Sequence, residues 1–394
     1  MDITITPKKL HGSIHVIPSK SQAHRVLICA AFANDTTKIY CKQTNRDIEA
    51  TARCLCALGA RIERDNDGYT VYPIEITPRT ATLPCDESGS TLRFLLPIVG
   101  ALGVDATFIL DGRLSKRPLS PLWEEMERMG CRLSRPSEKE LRCEGSLQNG
   151  QYHISGDVSS QFITGLLLAL SLLKADSRIT VTGKLESKPY VDLTQSVMEM
   201  FQVDTAGFHI KGNQTFKTPG KITIEGDWSN AAFFLAANAM DSQIDVQNLD
   251  DASVQGDRAV VTILKELEEN VCISAMNIPD LVPILSVVAA SKKGCMFTDI
   301  QRLRLKESDR VSTVIQMLEA LGIRATSTES TLTVFPGKIS GGLVDAANDH
   351  RIAMSAAIAA TIASGPVTIS GANCVEKSYP SFWEEYVKLG GSYE

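Results

Sequence analysis

Residues 16–62 read VIPSKSQAHRVLICAAFANDTTKIYCKQTNRDIEATARCLCALGARI, and two kinds of helix are legible in them. The first, from Lys20, turns apolar on nearly every side after its opening turn, as a helix buried all round does. Its polar residues Lys20, Ser21, His24 and Arg25 crowd one end. There the first backbone N–H groups lack intrahelical partners and favour an anion. An alternating strand follows (KIYC), then a polar turn and an amphipathic helix with apolar residues at helical spacing.

The same layout recurs six times along the chain. The strand–turn–helix units start at residues 37, 106, 178, 243, 296 and 366. Before each lies a more apolar helix, beginning KSQAHR (20), GSTLRF (89), SQFITG (160), NAAFFL (230), DLVPIL (280) and HRIAMS (350). Ser19, Ser88, Ser159, Ser229, Asp280 and Asp349 stand where N-caps belong. The pattern predicts an α/β fold. If each half of the chain bundles three repeats, the buried helices aim their N-termini at a common cleft; six unrelated units with ordinary caps are the alternative. The helix starts and neighbouring turns favour convergence, because they also carry Lys20, Arg25, Arg93, Arg117, Gln161, Arg310, Arg351 and Lys377. Arg forks match phosphate and carboxylate geometry, so this set predicts a multiply anionic ligand.

Composition narrows the ligand. The 394 residues carry a formal net charge of -6, with 43% apolar and 22% charged residues. That is a globular chain of two or three domains at ~100–200 residues each, and not a general binder of nucleic acid. The run GLLLALSLL (165–173) is shorter than the ~20 residues a bilayer span needs. The alternating start MDITITPKKL shows no targeting peptide, which points to a cytoplasmic protein. Ten cysteines without a CxxC pair read as free thiols, and six histidines form no ligand pattern, so no metal site is expected. No GxxxxGK[ST] or strand-linked GxGxxG is present, which argues against ATP and dinucleotides. Asp280 is either a simple N-cap or a general base beside cations, with Glu307 between Lys306 and Arg310 as its acidic companion.

PSKSQAHR (18–25), ESGSTLRF (87–94), RLSKRP (113–118), SSQF (159–162), SKPY (187–190), IPD (278–280), KESDR (306–310), NDHR (348–351) and EKSYP (376–380) together resemble the 5-enolpyruvylshikimate-3-phosphate (EPSP) synthase family, in order along nearly the whole chain. The resemblance implies two domains, each of three inverse α/β repeats with mixed sheets around buried helices, and an active site in the interdomain cleft. The chain would cross between domains twice, giving 1–17 plus 226–394 as one domain and 18–225 as the other, with the return near Gly226. The implied reaction moves the enolpyruvyl group of phosphoenolpyruvate to the 5-hydroxyl of 3-phosphoshikimate through a tetrahedral intermediate, releasing phosphate. No cofactor or metal is implied, and a monomer is expected.

The resemblance also assigns roles. Lys20 would touch both substrates, with Ser21 and Arg25 on the shikimate carboxylate. Ser159, Ser160 and Ser187 would hold the shikimate phosphate, Gln161 would lie between substrates, Tyr190 against the ring, and Lys306 on the same ligand. Gly89, Arg117, Arg310, Arg351 and Lys377 would form the phosphoenolpyruvate side, where glyphosate competes in the family. Asp280 would be the base on the 5-hydroxyl; Glu307, with Lys20, would move the methylene proton. His350 would order the site.

This chain departs from the family pattern at Glu87, Ser90, Phe94 and Arg302. Three rival readings are weaker. The sister enolpyruvyl transferase acting on a UDP-amino sugar carries a Cys in the loop that here reads DGRLSKRPLS (111–120). A non-catalytic binding protein predicts loss of Asp280, Glu307 or Lys377, and all three residues are present. An RNA-end-processing relative sits poorly with the acidic charge.

Overall fold

A computed structural model describes residues 1–394. The chain forms two compact units, Met1–Ile17 with Glu225–Glu394, and Pro18–Ile224. Glu225 therefore goes with the first unit, one residue earlier than the return at Gly226 read from the sequence.

Twelve helices alternate in kind. Those hydrophobic on nearly all sides are α1 (Lys20–Ala31), α3 (Gly89–Leu102), α5 (Ser160–Leu170), α7 (Trp228–Ala239), α9 (Val282–Ser291) and α11 (His350–Ala359). Burial follows that composition: every residue of α11 is buried, as is all of α5 except Gln161. The amphipathic partners are α2 (Arg46–Ala57), α4 (Leu122–Arg128), α6 (Lys188–Met200), α8 (Val260–Glu266), α10 (Arg310–Ala320) and α12 (Phe382–Lys388). Each unit thus builds its own core around three buried helices.

The strands explain how six repeats close into two units. In four repeats the strand before the buried helix pairs in parallel with the strand after it, as a crossover unit does. These pairs are Thr80–Asp86 with Asp105–Leu110, Gln151–Ser155 with Ser177–Thr182, Val271–Ser274 with Cys295–Thr298, and Gly342–Asp345 with Val367–Ser370. The other two repeats trade first strands. His11–His15 precedes α1 but pairs with Gln243–Gln247, and Lys221–Thr223 precedes α7 but pairs with Thr37–Tyr40. Antiparallel strands complete five of the six sheets, so the sheets are mixed.

Two of the caps read from the sequence move. Asp227, not Ser229, caps α7, accepting from Asn230 N–H at 2.9 Å. Helix α9 begins at Val282 without a side-chain cap, so Asp280 lies ahead of the helix and is no N-cap. Ser19, Ser88, Ser159 and Asp349 do cap α1, α3, α5 and α11.

Close approach of helices sets the remaining geometry. Pro97 within α3 has no N–H for the Arg93 carbonyl four residues back. Gly165 of α5 packs over that same carbonyl, where a Cβ would collide with it. Arg93 is thereby fixed one turn below the start of α3.

Candidate active site

In the unit of residues 18–224, three buried helix starts and their neighbouring turns gather the polar residues. Lys20 opens α1 and donates to Asp47 of α2 at 3.0 Å. Gly89 opens α3, between the guanidinium ends of Arg117 and Arg93. A Cβ built on it would lie 2.6 Å from Arg117 Nη1 and 2.7 Å from Arg93 Nη1. Arg93 is buried and donates to the Pro118 carbonyl at 3.1 Å and to Gln161 Oε1 at 3.4 Å. Gln161 in turn donates to Ser90 Oγ at 3.0 Å. Ser90 thus holds the amide of Gln161, which accounts for one departure. Phe94 accounts for another, since its ring takes the Arg25 guanidinium at 5.0 Å from the centroid and meets His24 edge-on.

Arg25 is 2% exposed and spends most of its donors inside the protein. Nε donates to Thr194 Oγ1 at 2.8 Å, Nη1 to the Ser21 carbonyl at 2.6 Å, and Nη2 to the Tyr190 carbonyl at 3.0 Å and Thr164 Oγ1 at 3.4 Å. Of five guanidinium N–H groups, one on Nη1 is left for a ligand, so Arg25 offers no fork to a carboxylate. Burial pulls its pKa down to about 10, which keeps it charged at neutral pH. Ser159 caps α5 through Gln161 N–H at 3.3 Å, and Ser160 is the helix's first residue. Ser187 precedes α6 with φ at 54°, a left-handed conformation that costs a non-glycine residue energy and aims the turn SKPY.

In the unit containing residues 225–394, the cluster is a network of ions. Asp280 Oδ1 accepts from Arg310 Nη1 at 2.6 Å and lies 3.5 Å from Lys306 Nζ; its Oδ2 accepts from Arg351 Nη2 at 3.0 Å. Arg310 is 1% exposed and also donates to Glu307 at 2.6 Å and to the helix-capping Asp349 at 2.9 Å. Ser308 donates to Asp349 at 2.9 Å. Lys377 donates to the Asn348 carbonyl at 3.1 Å, beside the start of α11.

These contacts set the ionisation states. Burial pushes the Asp280 carboxyl up, but Arg351, Lys306 and Arg310 outweigh it and hold the group well below the carboxylate range. Burial pulls the Lys306 ammonium down to about 8 against the attraction of Asp280, and Arg310 and Arg302 add to the lowering. The unusual Arg302 therefore acts as a second cation close enough to weaken Lys306's hold on its proton.

Of the residues singled out in the sequence, Lys20, Ser21, Arg25, Gly89, Arg117, Ser159, Ser160, Gln161, Ser187 and Tyr190 fall in one unit. Asp280, Lys306, Glu307, Arg310, Arg351 and Lys377 fall in the other. Three partners escaped the sequence reading. Asp47 looks like an ordinary first-turn acid of α2, yet it holds Lys20. Thr51 is an inconspicuous helical threonine. Asp257, 4% exposed, accepts from Ser229 Oγ; burial, then Asp280, raises its pKa to about 6. Its signal was the acid in SVQGDR at a strand-to-helix turn, a place equivalent to Arg117 and Lys377.

The sequence model of the EPSP synthase family (3-phosphoshikimate 1-carboxyvinyltransferase) matches residues 5–277 and 269–386. A 3-phosphoshikimate 1-carboxyvinyltransferase of Clostridium kluyveri is 39% identical over 419 residues, covering 100% of this chain and 98% of that protein. The corresponding protein of a Clostridium perfringens strain is 40% identical over 417 residues, covering 99% and 98%. A solved EPSP synthase structure from Acinetobacter baumannii superposes with a TM-score of 0.81 at 25% identity, covering 100% of this chain and 99% of that one. With the family's motifs at the buried helix starts and a full-length match in both sequence and fold, this chain belongs to the EPSP synthase family, the 3-phosphoshikimate 1-carboxyvinyltransferases.

Proposed function

We propose that the chain carries out its family's enolpyruvyl transfer, from phosphoenolpyruvate to the 5-hydroxyl of 3-phosphoshikimate, with Asp280 as a base that substrate binding arms. The observation that carries this reading is the engagement of Asp280 by Arg310, Arg351 and Lys306 at once. A carboxylate so held is a weak proton acceptor, because efficient general bases titrate near the working pH. Arg310 and Arg351 are also the cations assigned to phosphoenolpyruvate. When its phosphate and carboxylate draw on them, their hold on Asp280 slackens and its basicity rises.

The remaining roles follow the same placement. Lys20, Gly89, Arg117, Gln161 and Lys377 complete the phosphoenolpyruvate side. Ser159, Ser160 and Ser187 take the shikimate phosphate, while Ser21, the remaining N–H of Arg25, Tyr190 and Lys306 hold the ring and its carboxylate. Glu307 protonates the methylene carbon as the 5-oxygen adds and takes a proton back as phosphate leaves, with Lys20 assisting. The reading includes a monomer working in the cytoplasm, supported by the acidic charge and ten free thiols; no helix is long and apolar enough to cross a membrane. Phosphate release measured with both substrates, and with each withheld, tests it: release that does not require 3-phosphoshikimate overturns it.

A further inference from the structure

His24 is 0% exposed on α1, and the reaction as assigned gives it no role. Its Nδ1 lies 2.7 Å from Thr51 Oγ1 of α2. Thr51 Oγ1 lies 2.7 Å from Thr91 Oγ1 of α3. Thr91 Oγ1 donates to the N-cap Ser88 Oγ at 2.7 Å, with the Asp47 carbonyl as a longer acceptor at 3.4 Å. Ser88 Oγ also accepts from Thr91 N–H at 3.2 Å, which leaves the N–H groups of Gly89 and Ser90 to an anion at the helix start.

A hydroxyl has one proton to give, so the chain has a direction. The proton of Thr91 goes to Ser88 or to the Asp47 carbonyl. Thr51 must therefore donate to Thr91, and His24 Nδ1 must donate to Thr51. A second observation agrees: His24 Nε2 is buried and has no hydrogen-bond partner. A bare lone pair is tolerated there more readily than an orphaned N–H. Burial, then Lys20 and Arg25, lower the His24 pKa, so the ring is neutral and only one nitrogen carries a proton.

We propose that His24 is a positioning residue for the phosphoenolpyruvate end of α3, its Nδ1–H starting a one-way hydrogen-bond chain through Thr51 to Thr91. The chain ties together α1, which carries Lys20, α2, which carries Asp47, and the capped first turn of α3, which carries Gly89. It fixes the two open N–H groups of α3 relative to the Lys20 ammonium. Arg25, the next residue, does the equivalent for α5 and α6 through Thr164, Thr194 and the Tyr190 carbonyl. Adjacent residues of α1 thus anchor all the other substrate-side helices of this unit except α4.

The functional half of this inference rests on the assignment of α3 to phosphoenolpyruvate, and the tests separate the two. The tautomer is read on the unaltered protein by long-range 15N–1H correlation of 15N-histidine at pH 7.5, with His24→Asn to assign the signal. A protonated Nδ1 is expected. A protonated Nε2 reverses the chain and overturns the inference whatever the enzyme catalyses. In steady-state kinetics, His24→Leu should raise the phosphoenolpyruvate KM about three- to tenfold, the worth of one neutral hydrogen bond. The 3-phosphoshikimate KM should move less than twofold. His24→Asn, whose amide donates from nearly the place of Nδ1, should restore most of the loss. Adding His24→Leu to Thr91→Val should change little more, since both break one chain. Equal losses for both substrates, or additive effects, overturn the positioning role. Absence of any phosphate release from the unaltered enzyme instead overturns the reaction assignment and leaves the tautomer result standing.

Discussion

Gly89→Ala separates helix stability from anion recognition. Gly89 is the first residue of α3 and has no positive φ, so alanine adopts its backbone without strain. Alone, the change should stabilise the protein by ~0.4–1 kcal/mol, because it restricts the unfolded chain. The new methyl would lie 2.6 Å from Arg117 Nη1, 3.1 Å from Arg117 Cζ and 2.7 Å from Arg93 Nη1. Ordinary contact needs about 3.5 Å, so a guanidinium must retreat by roughly 1 Å. Both guanidinium ends lie under 3 Å from the methyl, so both must shift, Arg93 against its bonds to Pro118 and Gln161. A hydrogen bond to a charged group is worth ~1.5–3 kcal/mol, and 1.4 kcal/mol is tenfold in affinity. The KM for phosphoenolpyruvate should rise roughly 10- to 100-fold in a phosphate-release assay, with the 3-phosphoshikimate KM within twofold and Tm unchanged or higher. Glyphosate, the longer molecule, should lose more than phosphoenolpyruvate does. An unchanged phosphoenolpyruvate KM, or a matching rise for both substrates, would refute the placement of Arg117.

Three further outcomes follow from the ion network. Asp280→Asn should lower kcat by ~10²–10⁴-fold while the phosphoenolpyruvate KM falls, because Arg310 and Arg351 lose their internal anion; near-normal turnover would remove Asp280 as base. Arg310→Met should cost about 3–5 kcal/mol in urea unfolding at pH 7.5, since Asp280, Glu307 and the fully buried Asp349 lose a shared cation; a cost below about 1 kcal/mol would mean the carboxylates find other partners. Asp257 has its pKa raised to about 6 from 3.8, so the folded state holds a proton that the unfolded chain releases, and stability is lost as pH rises through that window. Asp257→Asn should therefore gain up to about 3 kcal/mol at pH 7.5 and nothing below pH 4, compared by urea unfolding at the two pH values; a gain of the same size at both would refute the shifted carboxyl.

The repeats were legible because each leaves two periodicities side by side, a strand alternation and a 3.6-residue apolar stripe. The buried helices were legible because no face of FITGLLLAL can meet water. What local patterns could not supply was partner choice. Asp227 and Ser229 are both acceptable caps, and only the backbone path selects Asp227. The exchange of first strands joins residues 11–15 to 243–247, a separation no local signal spans. Arg25 matched a ligand-binding motif, yet most of its donors meet residues 164, 190 and 194. A motif fixes where a cation starts, while the packing around it decides how much of that cation is left for the substrate.

That division of the cations bears on how the enzyme balances binding against turnover. Lys20 is held by Asp47, and Arg310 and Arg351 by Asp280. An arriving anion does not meet bare cations; it competes with carboxylates already in place, which lowers the net gain of each contact. In the proposed reaction the same competition is productive, because contact that Arg310 and Arg351 give to the substrate is contact withdrawn from Asp280. Asp280, the proposed base, should then become more basic only when phosphoenolpyruvate is seated. On the proposed assignment, binding energy is spent on raising the Asp280 pKa toward the working range, which favours the transition state over the bound ground state. With Asp280→Asn the phosphoenolpyruvate KM should fall as kcat falls, the kinetic mark of an internal anion that opposes binding in order to be released by it. A variant in which both constants worsen would show Asp280 to be part of the binding surface.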